Sequence, residues 1–461
     1  MLRRVLMIAY FFPPCSASGV YRTVRFMKFL PDYEWSPIIL TIKPDQYEAY
    51  FPLDLALTEQ ISPGQTIVRT SAFRWLDALL KLRQHIRVAK CASHSLKQQI
   101  DNSPKHSRWQ RVKDSITGAL STPDEQIGWL LPALWRGMGI IRKQEVDAVY
   151  STASPWTAHL IGYWLSRLTG TPWIADFRDP WTQNPFRGET SKLKESLEAF
   201  MEKCVVSRAD IVIANTSTLR EDFVRRYSFL NPDKFVTITN GFDPDEGEPF
   251  CQSQRDEFDT PTATQPKDSK VFTLTHTGSL YGQRDPRPFF VAIEQLLMEG
   301  SIPMERLCIN LVGESEDMVS RFLTDHPLVE KAVRLIPQVS HQKCLEYLVN
   351  SDLLLVIQPN TTLQIPGKLF EYIQVQKPIL ALTPSEGATA RLITSDGIGA
   401  SVDATDVVGI KKQVLLYYQM FLCGSLRTNH PSDIYRKYSM RQLTRQLANL
   451  LDKLANGKSG E

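Results

Sequence analysis

Lys368 and Glu371 stand three residues apart in the stretch Pro366-Gly367-Lys368-Leu369-Phe370-Glu371-Tyr372, an ammonium beside a carboxylate. The spacing predicts a short helix with Leu369, Phe370 and Ile373 turned to a core and Lys368 and Glu371 on another side. Pro366 and Gly367 break the chain ahead of it, and proline suits a first helical turn. Apolar runs flank the helix, Leu353 to Ile357 before it and Ile379 to Leu382 after it, and both read as buried strands. Open α/β sheets bind ligands at the C-terminal edge of their strands, and a helix N-terminus favours phosphate. A carboxylate held at that edge can accept hydrogen bonds from two vicinal hydroxyls, as in a ribose. Glu371 would serve equally as a first-turn acid complementing the helix dipole, worth about 0.3–1 kcal/mol.

The totals bound what must position these residues. A chain of 461 residues is too long for one ordinary core, so two or three domains are expected. A hydrophobic share of 43% and a charged share of 22% describe a soluble globular protein, and a net charge of +3 gives no electrostatic case for nucleic acid. The seven cysteines are scattered and form no C-x-x-C pair, which argues against a disulfide framework or a zinc site and fits a reducing cytoplasm. No uncharged apolar run reaches the length of a membrane span, and the first strand runs into Pro13-Pro14 without a cleavage site for a signal peptide.

Along the chain, short apolar strands alternate with helical patterns. Residues 5–10 form a strand, Phe11 to Gly19 a small-residue loop in which Gly19 permits close approach, and Val20 to Leu30 a helix. The rhythm resumes at Val146 and stops at Asn240-Gly241; residues 251–270 are polar and read as a linker; a second α/β series opens at Val271. The expected organisation is a Rossmann-like domain over 1–245, a linker over 246–270, a second such domain over 271–425, and an amphipathic helical tail over 426–461. A helical insertion over about 74–135 carries ten basic residues between Arg74 and Lys113 against Asp77 and Asp101, then Trp129 and Trp135. Such a segment suits an anionic membrane surface; it also suits a solvated face over a packed helix. Asp243-Pro244-Asp245 spells D-x-D, but the proline makes it turn chemistry, and no catalytic metal is expected. His159 is expected to be packed, and Ser151 and Ser154 are weak candidates for touching a substrate.

Five segments in order resemble the glycosyltransferase family 4-like proteins. They are Tyr10-Phe11-Phe12-Pro13-Pro14 with Gly19-Val20-Tyr21-Arg22, Ala175-Asp176-Phe177-Arg178-Asp179-Pro180-Trp181, Thr239-Asn240-Gly241-Phe242-Asp243, His276-Thr277-Gly278-Ser279-Leu280-Tyr281, and the Lys368 stretch. The resemblance implies a GT-B fold, two Rossmann-like doubly wound domains facing a cleft, with the N-terminal one on the acceptor side. It implies transfer of a sugar from a nucleotide-sugar donor, with retention and without metal or other cofactor, to a glycan or lipid-linked acceptor. Carried over by position, Glu371 holds the donor ribose, and Arg284 and Lys368 hold the diphosphate. Gly19 admits diphosphate and acceptor, and Asp179 lies below the reacting sugar. Gly278, Ser279 and Gly367 complete the donor side.

Departure of a nucleoside diphosphate builds negative charge that cations must stabilise, which suits Arg284 and Lys368. Many family members carry a second glutamate eight positions before the ribose glutamate; here that position is Leu363. Leu363 keeps open a non-catalytic nucleotide-sugar-binding partner subunit, and the GT-B architecture implied by the resemblance also supports a nucleotide-sugar epimerase.

Overall fold

A computed structural model of the chain describes residues 2–73 except 18, 49, 60 and 62, residues 122–246 except 189, and residues 271–280, 284–426 and 432–457. The basic stretch from Arg74 to Lys113 and the expected linker of 251–270 lie outside the described residues.

The chain divides into two compact units, the first made of Met1–Ala214, Arg226–Val236 and Ala448–Glu461, the second of Asn215–Arg225 and Thr237–Leu447. The first holds a seven-stranded sheet in the order β3-β2-β1-β4-β5-β6-β7. Its strands are β1 Arg3–Ile8, β2 Trp35–Ile42, β3 Thr66–Thr70, β4 Ala148–Ala153, β5 Trp173–Phe177, β6 Ile211–Ala214 and β7 Phe235–Thr237. The second holds a six-stranded sheet in the order β10-β9-β8-β11-β12-β13. Here the strands are β8 Phe272–Thr277, β9 Leu307–Val312, β10 Val333–Ile336, β11 Leu353–Ile357, β12 Ile379–Leu382 and β13 Gly399–Val402. Strand pairing in this sheet is parallel throughout.

The apolar runs form these strands because both faces of a parallel sheet are covered. In β11 the residues alternate between two cores. Leu353, Leu355 and Ile357 pack with Phe289, Phe290, Ile410 and Val414 from the helices Arg287–Met298 and Val407–Leu422. Leu354 and Val356 pack on the opposite face with Leu345, Leu369, Phe370 and Ile393. The helix face formed by Leu369, Phe370 and Ile373 is fully buried, as their spacing predicts.

Strand order reverses between β1 and β4 in the first sheet and between β8 and β11 in the second. At such a reversal the loops leaving the C-terminal edge part in opposite directions and open a crevice.

The expected tail helix is two helices, Ser432–Tyr438 and Met440–Gly457. The break has a backbone cause: Phe242 N donates to Tyr438 O at 3.2 Å and Met440 N to Phe242 O at 2.9 Å. A β-carbon on Gly241 would lie 2.4 Å from that same Tyr438 carbonyl, so the Asn240-Gly241-Phe242 segment needs glycine where it crosses the helix break.

Candidate functional site

The second unit gathers its polar residues at the reversal between β8 and β11. The seven-residue helix Lys368–Gln374 is fixed there by Tyr372, fully buried, whose hydroxyl donates to Leu355 O at 3.3 Å and accepts from Thr277 N at 2.9 Å. That clamp sets Lys368 at the end of β8. Its Nζ lies 2.6 Å from Thr277 O and 2.9 Å from His276 Nε2. A β-carbon on Gly278 would stand 3.4 Å from Lys368 Nζ. Gly278 has φ +94° and donates to Val312 O at 2.7 Å, so this turn suits glycine.

Arg284 joins the loop from the other end, donating from Nη1 to Ser279 O at 3.3 Å. Burial, then the positive charge of Arg284, hold the Lys368 ammonium well below the usual lysine range. Lys368 and Arg284 thus stand at one sheet edge, where two basic side chains suit an anion. Glu371 lies one helical turn from Lys368, and its Oε1 is 3.2 Å from His341 Nε2 on the helix His341–Val349.

Of the donor-side candidates, Gly278, Ser279, Arg284, Lys368 and Glu371 therefore belong to one sheet edge. Gly367 has φ −53° and open space where a β-carbon would stand, so the protein itself makes no demand for glycine there. Leu363 contributes through its backbone, its carbonyl accepting from Thr216 Oγ1 at 2.7 Å. Asp243 closes a turn on Asp245 N at 3.0 Å, the turn chemistry expected of that segment.

Three residues of this edge carry no signal that assigns them a role from the sequence alone. His276 and Cys344 meet Lys368 from other elements, and Gly313, φ +135°, packs so tightly that a β-carbon would come 2.8 Å from Gly278 C. For the last, the Gly313-Glu314 pair at the end of β9 is the one local hint.

In the first unit, Gly19 and Asp179 both lie next to Arg178. A β-carbon on Gly19 would fall 1.7 Å from Arg178 Nη1, so the space that glycine opens is filled by a guanidinium. Arg178 Nη2 donates to Ser154 O and Ser154 Oγ, each at 3.2 Å, and Asp179 Oδ2 is 3.7 Å from Arg178 Nε. Beneath them Asp176, fully buried, accepts from Arg22 Nε at 2.8 Å and Nη2 at 2.7 Å, from Tyr150 Oη at 2.5 Å and from Thr152 Oγ1 at 3.0 Å. Gly19→Ala is expected to push Arg178 off Ser154 and cost about 1.5–3 kcal/mol, the range for a charged hydrogen bond lost. In denaturant unfolding that cost should largely disappear when Arg178→Ala is already present; equal costs in both backgrounds would mean that Arg178 is not what the glycine accommodates.

His159 is packed, as expected: it is fully buried, its Nδ1 lies 2.8 Å from Ser151 Oγ, and burial holds its pKa down to about 3. Ser151 is not available to a substrate, because it is buried between His159 and the Trp173 indole N–H. The tryptophan pair separates. Trp129 is buried and donates to Thr70 Oγ1 at 2.7 Å, whereas Trp135 is 74% exposed and Leu131, one turn before it, 64%.

The two doubly wound units and their sheet orders define a protein of the GT-B class. Residues 70–246 match the model of Glycosyltransferase Family 4. Over 88 residues it is 31% identical to an alpha-maltose-1-phosphate synthase of Mycolicibacterium smegmatis, which is 19% of this chain and 23% of that one. The chain thus aligns with about a quarter of that relative's length. The fold is similar to that of sucrose-phosphate synthase from Thermosynechococcus elongatus, with TM-score 0.63 and 13% identity over 99% of this chain and all of the other. It is also similar to Anabaena HepE in complex with UDP-glucose, with TM-score 0.60 and 13% identity over 98% and 99% of the two chains.

Proposed function

We propose that this protein is a glycosyltransferase that moves a sugar from a nucleotide-sugar donor to a glycan or lipid-linked acceptor in surface polysaccharide or glycoconjugate synthesis. The observation that carries this reading is the meeting of Lys368, Arg284, Gly278 and Glu371 at the strand-order reversal of the second unit. Lys368 and Arg284 take the donor diphosphate and stabilise the charge that grows on it as the glycosidic bond breaks. Glu371 accepts from the ribose hydroxyls, with His341 holding the carboxylate in place. Asp179 keeps the place below the reacting sugar that the family resemblance implies, and the reaction proceeds with retention and without a metal.

The test is turnover of a panel of UDP-, GDP- and ADP-sugars with and without an extract of lipid-linked saccharides. Acceptor-dependent release of nucleoside diphosphate supports the transferase. Donor consumption without acceptor would make the protein an epimerase, and binding without turnover a partner subunit, the alternative that Leu363 keeps in view. Trp135 and Leu131, exposed on one helix face, favour a membrane surface as the place of the acceptor. Binding to anionic vesicles should fall when both are changed to serine; unchanged binding would remove the membrane from the account.

A further inference from the structure

His276 is a buried histidine with both ring nitrogens engaged. Its Nδ1 lies 2.9 Å from the Leu355 carbonyl, which can only accept, so the ring proton is on Nδ1. Nε2 is then a lone pair, 2.9 Å from Lys368 Nζ, and it accepts from the lysine. Burial and then the Lys368 charge hold the ring well below the usual histidine range, so it stays neutral and keeps this tautomer.

A neutral lysine has two N–H bonds, and here both are spent, on Thr277 O and on His276 Nε2. A protonated lysine has three. The groups that act on its head are Arg284 from the loop after β8, Cys344 from the helix His341–Val349, Glu371 from its own helix, and His276 from β8. Arg284 opposes protonation, and Glu371 favours it. Cys344 carries its thiol proton at neutral pH, because burial raises it to about 11.

We propose that His276 is the positioning residue of this anion site: its Nε2 holds the Lys368 head so that the third N–H, gained when the lysine takes up a proton, is the one offered to the diphosphate of a bound nucleotide. Donor binding is then coupled to proton uptake from solvent onto Nζ, with no covalent bond changed. The proposal rests on the reading that a nucleoside diphosphate occupies the site.

Titration calorimetry with UDP, ADP and GDP at pH 8, in buffers of different ionisation enthalpy, tests it. The wild type should take up protons as the nucleotide binds, and Lys368→Met none. His276→Leu, which removes the acceptor, should weaken binding about tenfold, and its affinity should begin to fall with rising pH at a lower pH than in the wild type. His276→Gln, whose amide oxygen can replace Nε2 as acceptor, should bind within about threefold of the wild type. A histidine that only filled the core would weaken binding equally at every pH and would not be rescued by glutamine. Absence of proton uptake in the wild type, or His276→Leu binding as the wild type does, overturns the proposal. If His276→Leu does not fold, the wild type, Lys368→Met and His276→Gln still decide it. No binding of any of the three nucleotides would remove the donor-site reading itself, an outcome distinct from binding without proton uptake.

Discussion

Replacing Arg22 by methionine is expected to destabilise the first unit by about 3–5 kcal/mol, because it strands a fully buried carboxylate. Arg22 and Asp176 are both almost inaccessible, and the guanidinium grips the carboxylate with two nitrogens. Burial alone would raise the Asp176 carboxyl; Arg22, with hydrogen bonds from Arg22, Tyr150 and Thr152, more than offsets it and holds the group below the usual carboxylate range. A carboxyl depressed in the folded state contributes stability above its unfolded pKa of about 3.9, and that contribution is lost as pH falls through the folded value. Without Arg22 the sign reverses, since burial then favours the protonated acid. The gap between wild type and Arg22→Met should therefore be widest near neutrality and narrow as pH falls, first as the raised acid of the variant takes up its proton and then through the depressed folded value of the wild type. Denaturant unfolding across pH checks this. A gap that does not change with pH would mean that lost packing of the arginine stem, not its charge, sets the cost.

The second large effect falls on activity. Lys368→Met should lower kcat/KM by roughly 10- to 150-fold, the equivalent of one charge-assisted hydrogen bond of about 1.5–3 kcal/mol. Arg284→Met should act in the same direction. The loss of activity at Lys368 should exceed the loss of stability, because burying the lysine head costs the fold free energy that methionine does not incur. Steady-state kinetics beside thermal unfolding separates the two. A variant that loses stability and activity in proportion would place Lys368 in the scaffold and not in the site.

Much of the fold was legible because its signals are local. The apolar runs at 353–357 and 379–382 are strands with those bounds, and the helix over 20–30 ends within a residue of its expected stop. Lys368 and Glu371 could be placed together because three residues of helix bring them to adjacent turns. What escaped depends on residues far apart in the chain. His276 and Lys368 are 92 positions apart, and no spacing rule pairs them. Gly19 reads in sequence as room for a ligand; the atom that fills the room belongs to Arg178. Trp129 and Trp135 look alike in sequence, but six positions is well short of two helical turns, and one is buried where the other is exposed. The break in the tail helix comes from hydrogen bonds to Phe242, a segment that the tail sequence does not contain.

The central claim is that a nucleotide-sugar donor binds at the β8–β11 edge with its ribose on Glu371. Thermal unfolding of the wild type and of Glu371→Ala, each with UDP-, GDP- and ADP-sugars, tests it most directly. The account predicts that one nucleotide class raises the melting temperature of the wild type and leaves Glu371→Ala unmoved. A rise of equal size in both would place the donor elsewhere, and no rise with any donor would contradict the claim.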